Sequence, residues 1–238
     1  MSYDQHFMIN KDLIKSIINH AKIKKTDIVL EIGPGTGNLT NEIYKKTKKL
    51  ILIEIDKNLI SNLKEKFPKI EIINKNALEI NLPEHNKLIS NLPYNICEPL
   101  IWKLIRYKFN HAILTVPETF FEALNSNSKI GILAQTFYKV NKILEVEKED
   151  FDPPPKTKSV VIELIPKKPN SELKEVFLQS DKKIKNLLIE IFTKRGLTKN
   201  DAKTKLLFLP KSIGDKRIKN ISDEKFKKVL KIIHPNIS

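Results

Sequence analysis

Ile28-Val29-Leu30-Glu31-Ile32 is an apolar run long enough for a buried strand, and it stops abruptly at Gly33-Pro34-Gly35-Thr36-Gly37, after which Leu39, Ile43 and Tyr44 recur at helical spacing. A strand that feeds a glycine loop and then a helix belongs to a sheet joined by crossovers, because parallel neighbours cannot be linked by a tight hairpin. The chain that follows keeps this rhythm. Residues 49–55 read as a second strand, and Leu59, Ile60, Leu63 and Phe67 as the apolar face of a helix that Asp56 can cap. Residues 70–74, 87–90 and 111–116 read as three more strands. Between the last two, Leu100, Ile101, Leu104 and Ile105 mark a helix with Pro99 near its first turn, where proline is tolerated. Ahead of all of these, Asn10 caps a helix carrying Leu13, Ile14, Ile17, Ile18 and Ala21. The alternation predicts a doubly wound, mostly parallel α/β sheet.

Beyond residue 117 the pattern changes. Residues 130–140 read as a helix despite Gly131, and two β-like runs follow, 142–146 and 159–165, separated by Phe151-Asp152-Pro153-Pro154-Pro155-Lys156. Two strands in succession predict an antiparallel pair closing the sheet. Pro166-Lys167-Lys168-Pro169-Asn170 then breaks the rhythm, so a first domain is expected over 1–168 and a small helical one over 169–238. In the latter, Ile184, Leu187, Leu188, Ile191 and Phe192 form one stripe, and Phe226, Val229, Leu230 and Ile233 another, capped by Ser222 with Pro235 beyond it.

A formal net charge of +15 over 238 residues draws in polyanions, nucleic acid being the commonest. An anionic membrane surface or a lysine-rich genome gives the same number. Cys97 is the only cysteine and cannot form an internal disulfide. No run approaches the ~18 apolar residues of a membrane span. Met1-Ser2-Tyr3-Asp4-Gln5-His6-Phe7 lacks the basic start and apolar core of a signal peptide, so a cytosolic, cytoplasmic protein is expected.

Two loops and a basic stretch carry the chemistry. The glycines at 33, 35 and 37 are spaced more tightly than the dinucleotide fingerprint, whose third glycine would stand at Asn38. That suits a ligand without a pyrophosphate, with Glu54 at the end of the next strand placed to accept ribose hydroxyls; a tight turn without a ligand is the other reading. Glu31-x-Gly33-x-Gly35-x-Gly37 with Glu54 is similar to the S-adenosylmethionine site of class I methyltransferases, where the first acid contacts the methionine end. Asn91-Leu92-Pro93-Tyr94 follows a short strand and offers an amide, a stiff turn and an aromatic ring, a set that orients a flat, amine-bearing ring such as adenine; a plain Asn/Pro turn is the alternative. Lysines and arginines from Lys182 to Lys219 read either as a solvated face or as a phosphate-binding surface.

Gln5-His6-Phe7-Met8, Glu31 to Gly37, Ile53-Glu54-Ile55-Asp56, Asn91 to Ile96 and Phe151 to Lys156, in that order, closely resemble the KsgA family of ribosomal RNA adenine N6,N6-dimethyltransferases. The resemblance runs to about residue 168, and more loosely through Phe192-Thr193-Lys194-Arg195 to the end. It implies a Rossmann-like, seven-stranded class I methyltransferase domain with a small helical carboxyl-terminal domain. It also implies S-adenosylmethionine as cofactor, no metal, and a monomer acting on small-subunit rRNA or a pre-assembled small subunit. Gln5, His6, Met8, Glu31, Gly33, Gly35, Glu54, Ile55, Asn76, Ala77 and Asn91 are then expected around the cofactor, and Asn91, Leu92, Pro93, Tyr94 and Phe151 around the target base, Tyr94 and Phe151 stacking on its two faces. Asn76 departs from the family's usual aspartate, so its contact with the cofactor's adenine lacks charge assistance. Relatives on the same fold leave three alternatives: a large-subunit rRNA target, a DNA adenine target, or a non-catalytic assembly or transcription factor.

Overall fold

The computed structural model describes residues 5–169 and 171–233; the expected helix stop at Pro235, Asn170 at the end of the proline-lysine break, and the segment from Met1 to Asp4 lie outside the described residues. The chain divides between Lys167 and Lys168 into two units. In the first, β1 (Phe7–Met8) and α1 (Lys11–Ala21) precede β2 (Ile28–Ile32), α2 (Asn38–Tyr44), β3 (Lys49–Glu54), α3 (Lys57–Lys66) and β4 (Glu71–Asn74). Then come β5 (Lys87–Asn91), α4 (Cys97–Leu104), β6 (His111–Pro117), α5 (Glu118–Leu124), α6 (Lys129–Phe137), β7 (Tyr138–Val146), β8 (Phe151–Asp152) and β9 (Ser159–Pro166).

Seven strands form one sheet in the order β4-β3-β2-β5-β6-β9-β7. The first five run parallel, and β9 pairs antiparallel with both β6 and β7. The chain therefore winds outward from β2 in one direction, returns, and winds outward from β5 in the other. Central strands are apolar at successive positions because both faces are covered. On one face Val29, Leu50, Leu52, Ile89, Ile113 and Val161 pack with Ile14, Ile17 and Ile18 of α1, Leu39 and Ile43 of α2, and Leu63 of α3. The alternate residues, such as Leu30, Ile51, Ile53, Leu88 and Leu114, are equally buried. The helix starts follow from side-chain caps: Asn10 Oδ1 accepts from the Asp12 and Leu13 amides at 3.0 and 3.2 Å, and Asp56 Oδ1 from Asn58 at 2.9 Å.

The structure corrects the sequence reading in three places. The helix expected to reach residue 140 ends at Phe137, and β7 begins at Tyr138, because Tyr138, Lys139 and Val140 find partners in Pro166, Ile165 and Leu164 of β9. Helix α5 directly follows β6 and is an element the sequence reading lacks. A second sheet, β1 with β8, joins Phe7 to Asp152 and Met8 to Phe151.

The second unit contains α7 (Ser171–Leu178), α8 (Ile184–Lys194), α9 (Lys199–Lys205), α10 (Lys211–Gly214) and α11 (Asp223–Ile233), with a β-bridge between Lys183 and Arg217. Its core contains Phe177, Leu187, Leu188, Phe192, Phe226 and Val229, all at most 1% exposed. Among the described residues no helix is long and apolar enough to cross a membrane.

Gly131 lies inside α6, where a Cβ would stand 2.1 Å from the Ser126 carbonyl oxygen and 2.7 Å from that of Ala123. Alanine normally stabilises a helix interior over glycine by about 1 kcal/mol. Here the obstacle is backbone, so Gly131→Ala is expected to lower stability by about 1–3 kcal/mol, the usual cost of overpacking. Urea denaturation reads the sign directly, and a gain in stability would mean that the α5–α6 connection yields.

Candidate active site

The crevice arises where the winding reverses. β2 matches β3 along five residue pairs but pairs with β5 only at Val29–Lys87 and Leu30–Leu88. At their amino ends β2 and β5 are held together: the Ile28 amide donates to Asn86 Oδ1 at 2.8 Å, and Asn86 Nδ2 to Asp27 Oδ1 at 2.9 Å. Toward the carboxyl ends the backbone ladder stops, and the Ser90 hydroxyl donates across the gap to the Ile32 carbonyl. The loops that leave β2 and β5 turn to opposite sides, which opens a space above the strand tips.

That space is a cavity of about 300 Å³ lined by five stretches of chain. Gln5, His6 and Met8 enter along β1; Glu31, Gly33 and Gly35 come from the end of β2 and its loop; Glu54 and Ile55 from the end of β3; Asn76 and Ala77 from the loop after β4; and Asn91, Leu92, Pro93 and Tyr94 from the end of β5 and the turn beyond it. Asn38, Lys75 and Ile96 also line it and were not among the residues expected from sequence around the cofactor or the base. Gly35 has φ +57°, and a Cβ there would meet the Phe7 ring at 2.7 Å. Only glycine lets this backbone come so close to β1 while its N–H donates to Glu54 Oε2 at 3.2 Å. Gly33 likewise brings the glycine loop against Pro93, its would-be Cβ lying 3.4 Å from Cδ.

Two carboxyls dominate the electrostatics. Glu31 is 1% exposed, and its Oε2 has no hydrogen-bond partner. Burial pushes its pKa up to about 8; the nearby Thr40 hydroxyl, though it makes no well-formed hydrogen bond, offsets part of this, and the neighbouring Glu54 adds to it. Burial also raises Glu54, although the amides of Asp56, at 2.8 Å, and Gly35 stabilise its carboxylate. An orphaned acid oxygen in a cavity wall suits a ligand cation, and a second acid held by backbone amides suits paired hydroxyls.

A clasp closes one side. Asn91 Nδ2 donates to the His6 carbonyl at 2.9 Å, which leaves Oδ1 as the acceptor end of that amide. Asn38 Nδ2 donates to the Met8 carbonyl at 2.8 Å, and His6 Nδ1 donates to the Pro153 carbonyl at 2.8 Å, placing the imidazole proton on Nδ1. The Tyr94 hydroxyl hydrogen-bonds Ser159 Oγ at 2.6 Å, and the Tyr94 ring lies 5.8 Å from that of His6 at 34°. Phe151 is 3% exposed, pairs with Met8 and packs with it in the apolar cluster, next to the cavity-lining stretch but not itself among the lining residues. Asn76 Oδ1 accepts from the Leu78 amide at 3.0 Å and its Nδ2 donates to Glu79 at 2.8 Å, so one oxygen lone pair remains for a ligand. Cys97 is buried, and burial pushes its thiol up to about 12, so it is not a nucleophile.

Comparison with known proteins follows the same lines. The family model described as ribosomal RNA adenine dimethylase matches residues 1–233. A probable ribosomal RNA small subunit methyltransferase A from Methanosarcina barkeri is 34% identical over 247 residues, covering 96% of this chain and 85% of the relative. Its counterpart from Methanosarcina acetivorans is 32% identical, covering 98% and 93%. The crystal structure of a dimethyladenosine transferase from Plasmodium falciparum superposes with a TM-score of 0.68 at 30% identity, over 94% of this chain and 96% of that one. The 23S rRNA methyltransferase ErmE shares the fold, with a TM-score of 0.63 at 19% identity and coverage of 95% and 99%.

The folded chain holds the Glu31 proton to higher pH than the unfolded chain does, so folding takes up a proton between the ordinary value of 4.5 and about 8. Stability of the ligand-free protein should therefore fall as pH rises through that window. Melting temperatures measured across it are expected to drop more steeply for the parent than for Glu31→Gln; parallel profiles would mean that Glu31 titrates normally.

Proposed function

The chain belongs to the ribosomal RNA adenine dimethylase family, and from that premise we propose that it converts two adjacent adenosines near the 3′ end of small-subunit rRNA to N6,N6-dimethyladenosine with methyl groups from S-adenosylmethionine. The observation that carries the reading is the pairing, in one cavity at the sheet's reversal, of an orphaned buried carboxyl with an amide whose oxygen is the acceptor end. Glu31 and the Gly33–Gly35 loop would hold the methionine end, Glu54 the ribose, and Asn76 and Ala77 the adenine, with Gln5, His6, Met8 and Ile55 around them. When bound, this cofactor supplies an electrophilic methyl group on a cationic sulfur and leaves as S-adenosylhomocysteine.

Adenine N6 is a weak nucleophile because its lone pair is delocalised into the ring, so orientation is the main demand. Asn91 Oδ1 and the Leu92 carbonyl accept the two N6 hydrogens, favour a pyramidal nitrogen and stabilise charge as it develops. Pro93 stiffens the turn, and Tyr94, anchored through Ser159, supplies the stacking face. The alkylated nitrogen loses its proton to water, so no strong base is needed. One N–H remains after the first transfer, and a single acceptor then suffices. The adenosine has to leave its RNA stack to reach these groups.

Relatives named for the small subunit support that target over a large-subunit or DNA one, and the complete set of Glu54, Asn91, Pro93 and Tyr94 supports catalysis over a purely structural role. The lysine-rich second unit would bind phosphates of structured rRNA or of a pre-assembled subunit, and the protein would act as a cytoplasmic monomer.

In single-turnover assays with labelled cofactor and unmethylated small subunits, Asn91→Ala is expected to slow methyl transfer at least about a hundredfold, the usual scale for losing one charge-stabilising group. Calorimetry should show cofactor affinity little changed, and unimpaired transfer would remove Asn91 from the mechanism. Tyr94→Ala should cost about 1–3 kcal/mol in productive RNA engagement. For the parent protein, RNA affinity should fall at least about tenfold between 50 and 200 mM salt, and a flat response would dispose of the phosphate-contact account.

A further inference from the structure

Among the described residues of the second unit, large apolar side chains are exposed at one place. Leu207 and Phe208, in the turn between α9 and α10, are 83% and 67% exposed, the two most exposed of the large apolar residues among those described. Their neighbours Leu206 and Leu209 point the other way, Leu206 being 7% exposed and Leu209 half-buried. The turn is not loose. The amides of Leu206, Leu207 and Leu209 donate to the carbonyls of Lys203, Thr204 and Leu206 at 3.0, 3.1 and 2.9 Å, so the local backbone holds the two side chains out. Burying them within the unit would need those bonds to break.

The charges sort in the same place. Residues 168–238 carry 18 Lys and Arg against eight Asp and Glu. Many of these cations are committed: Lys182 to Glu190, Lys185 to Asp215, Lys194 to Glu175 and Arg195 to Glu172. Lys199, Lys203 and Lys211, which flank the apolar turn in sequence, form no ion pair among the described residues and are exposed, and Lys205 lies with its ammonium 5.1 Å from the Phe192 ring centroid. An exposed aromatic and an exposed aliphatic side chain amid uncommitted cations match a nucleic acid strand, which offers flat apolar faces and regularly spaced negative charge. Two side chains are far too little surface for a stable protein interface, which takes about 800 Å² per partner. The apolar stripes that a membrane-surface helix would need are buried in the unit's core.

We propose that Leu207 and Phe208 form a base-stacking tip that engages unpaired nucleotides of the rRNA substrate, while Lys203, Lys205 and Lys211 contact the adjoining phosphates. The proposal rests on the rRNA reading given above and adds a second, non-catalytic point at which unpaired bases are recognised.

The test uses the full chain with Trp102→Phe and Phe208→Trp, which leaves tryptophan only at the tip. Titration with a protein-free rRNA hairpin bearing unpaired nucleotides is expected to quench its emission, and a fully paired duplex to leave it nearly unchanged. In parallel, Phe208→Ala should lose about tenfold in affinity for the hairpin, keep its affinity for the duplex and keep the parent's salt dependence, because the phosphate contacts remain. Unquenched emission on binding overturns the proposal, as does hairpin affinity equal to the parent's. Loss of affinity confined to assembled subunits overturns it too, since the tip would then meet a protein, as would concentration-dependent self-association that Phe208→Ala abolishes. Hairpin binding and methyl transfer by the parent in the same preparation separate the two levels: if both are absent the rRNA reading fails, and if both are present with an unaffected variant only the tip fails.

Discussion

Everything at the site descends from the reversal of winding between β2 and β5. Parallel strands are joined by crossovers, and chains leaving two adjacent strands toward opposite faces cannot both cover the strand tips. The backbone ladder between these strands ends at Leu30 and Leu88, while the Asn86–Asp27 contacts hold their other ends together. The strands are thus pinned at one end and parted at the other. Into that parting come the glycine loop after β2 and the Asn-Leu-Pro-Tyr turn after β5, close enough that a Cβ on residue 33 would lie in van der Waals contact with the proline ring.

Geometry of this kind makes buried charge useful. Glu31 would be a poor residue for stability alone, since its unpartnered oxygen and raised pKa both report the cost of burying an acid without a counter-charge. Such a cost is tolerated where a cationic ligand completes the set. Glu54 shows the contrasting arrangement, an acid whose two oxygens already receive amides from Gly35 and Asp56 and which therefore presents a fixed, hydrogen-bonded edge. The amide of Asn91 is fixed in the same spirit: its nitrogen is occupied by the His6 carbonyl, so its oxygen is the end that remains available to a ligand.

The clasp is where sequence reasoning stopped short. Strands of two residues carry no periodicity, and Met8 and Phe151 lie too far apart in sequence for local pattern to join them. Phe151 sits in a motif that resembled a base-stacking element, and its pairing with Met8 and its place in the apolar cluster are contacts that no local pattern records. Tyr138 to Val140 looked helical from their spacing, but an open edge on β9 offered them a backbone ladder, and long-range pairing outweighed local propensity. By contrast the glycine loop, Glu54 and the Asn91–Tyr94 turn were legible, because each is a short stretch whose residue types follow from a local backbone need.

The order of apolar runs, glycines and caps by itself determined the alternating α/β architecture, and five short motifs pointed to the family and to where its chemistry lies, since those signals are written within a few residues of one another. Only the tertiary structure decided which of their atoms are available. It buried Phe151 beside Met8, put Phe7 against Gly35, turned the Asn91 oxygen into the acceptor, left the Glu31 Oε2 without a partner, and held Leu207 and Phe208 out among uncommitted lysines. The reason is physical: burial and hydrogen-bond pairing depend on which distant segments meet, and no local pattern of residues records that.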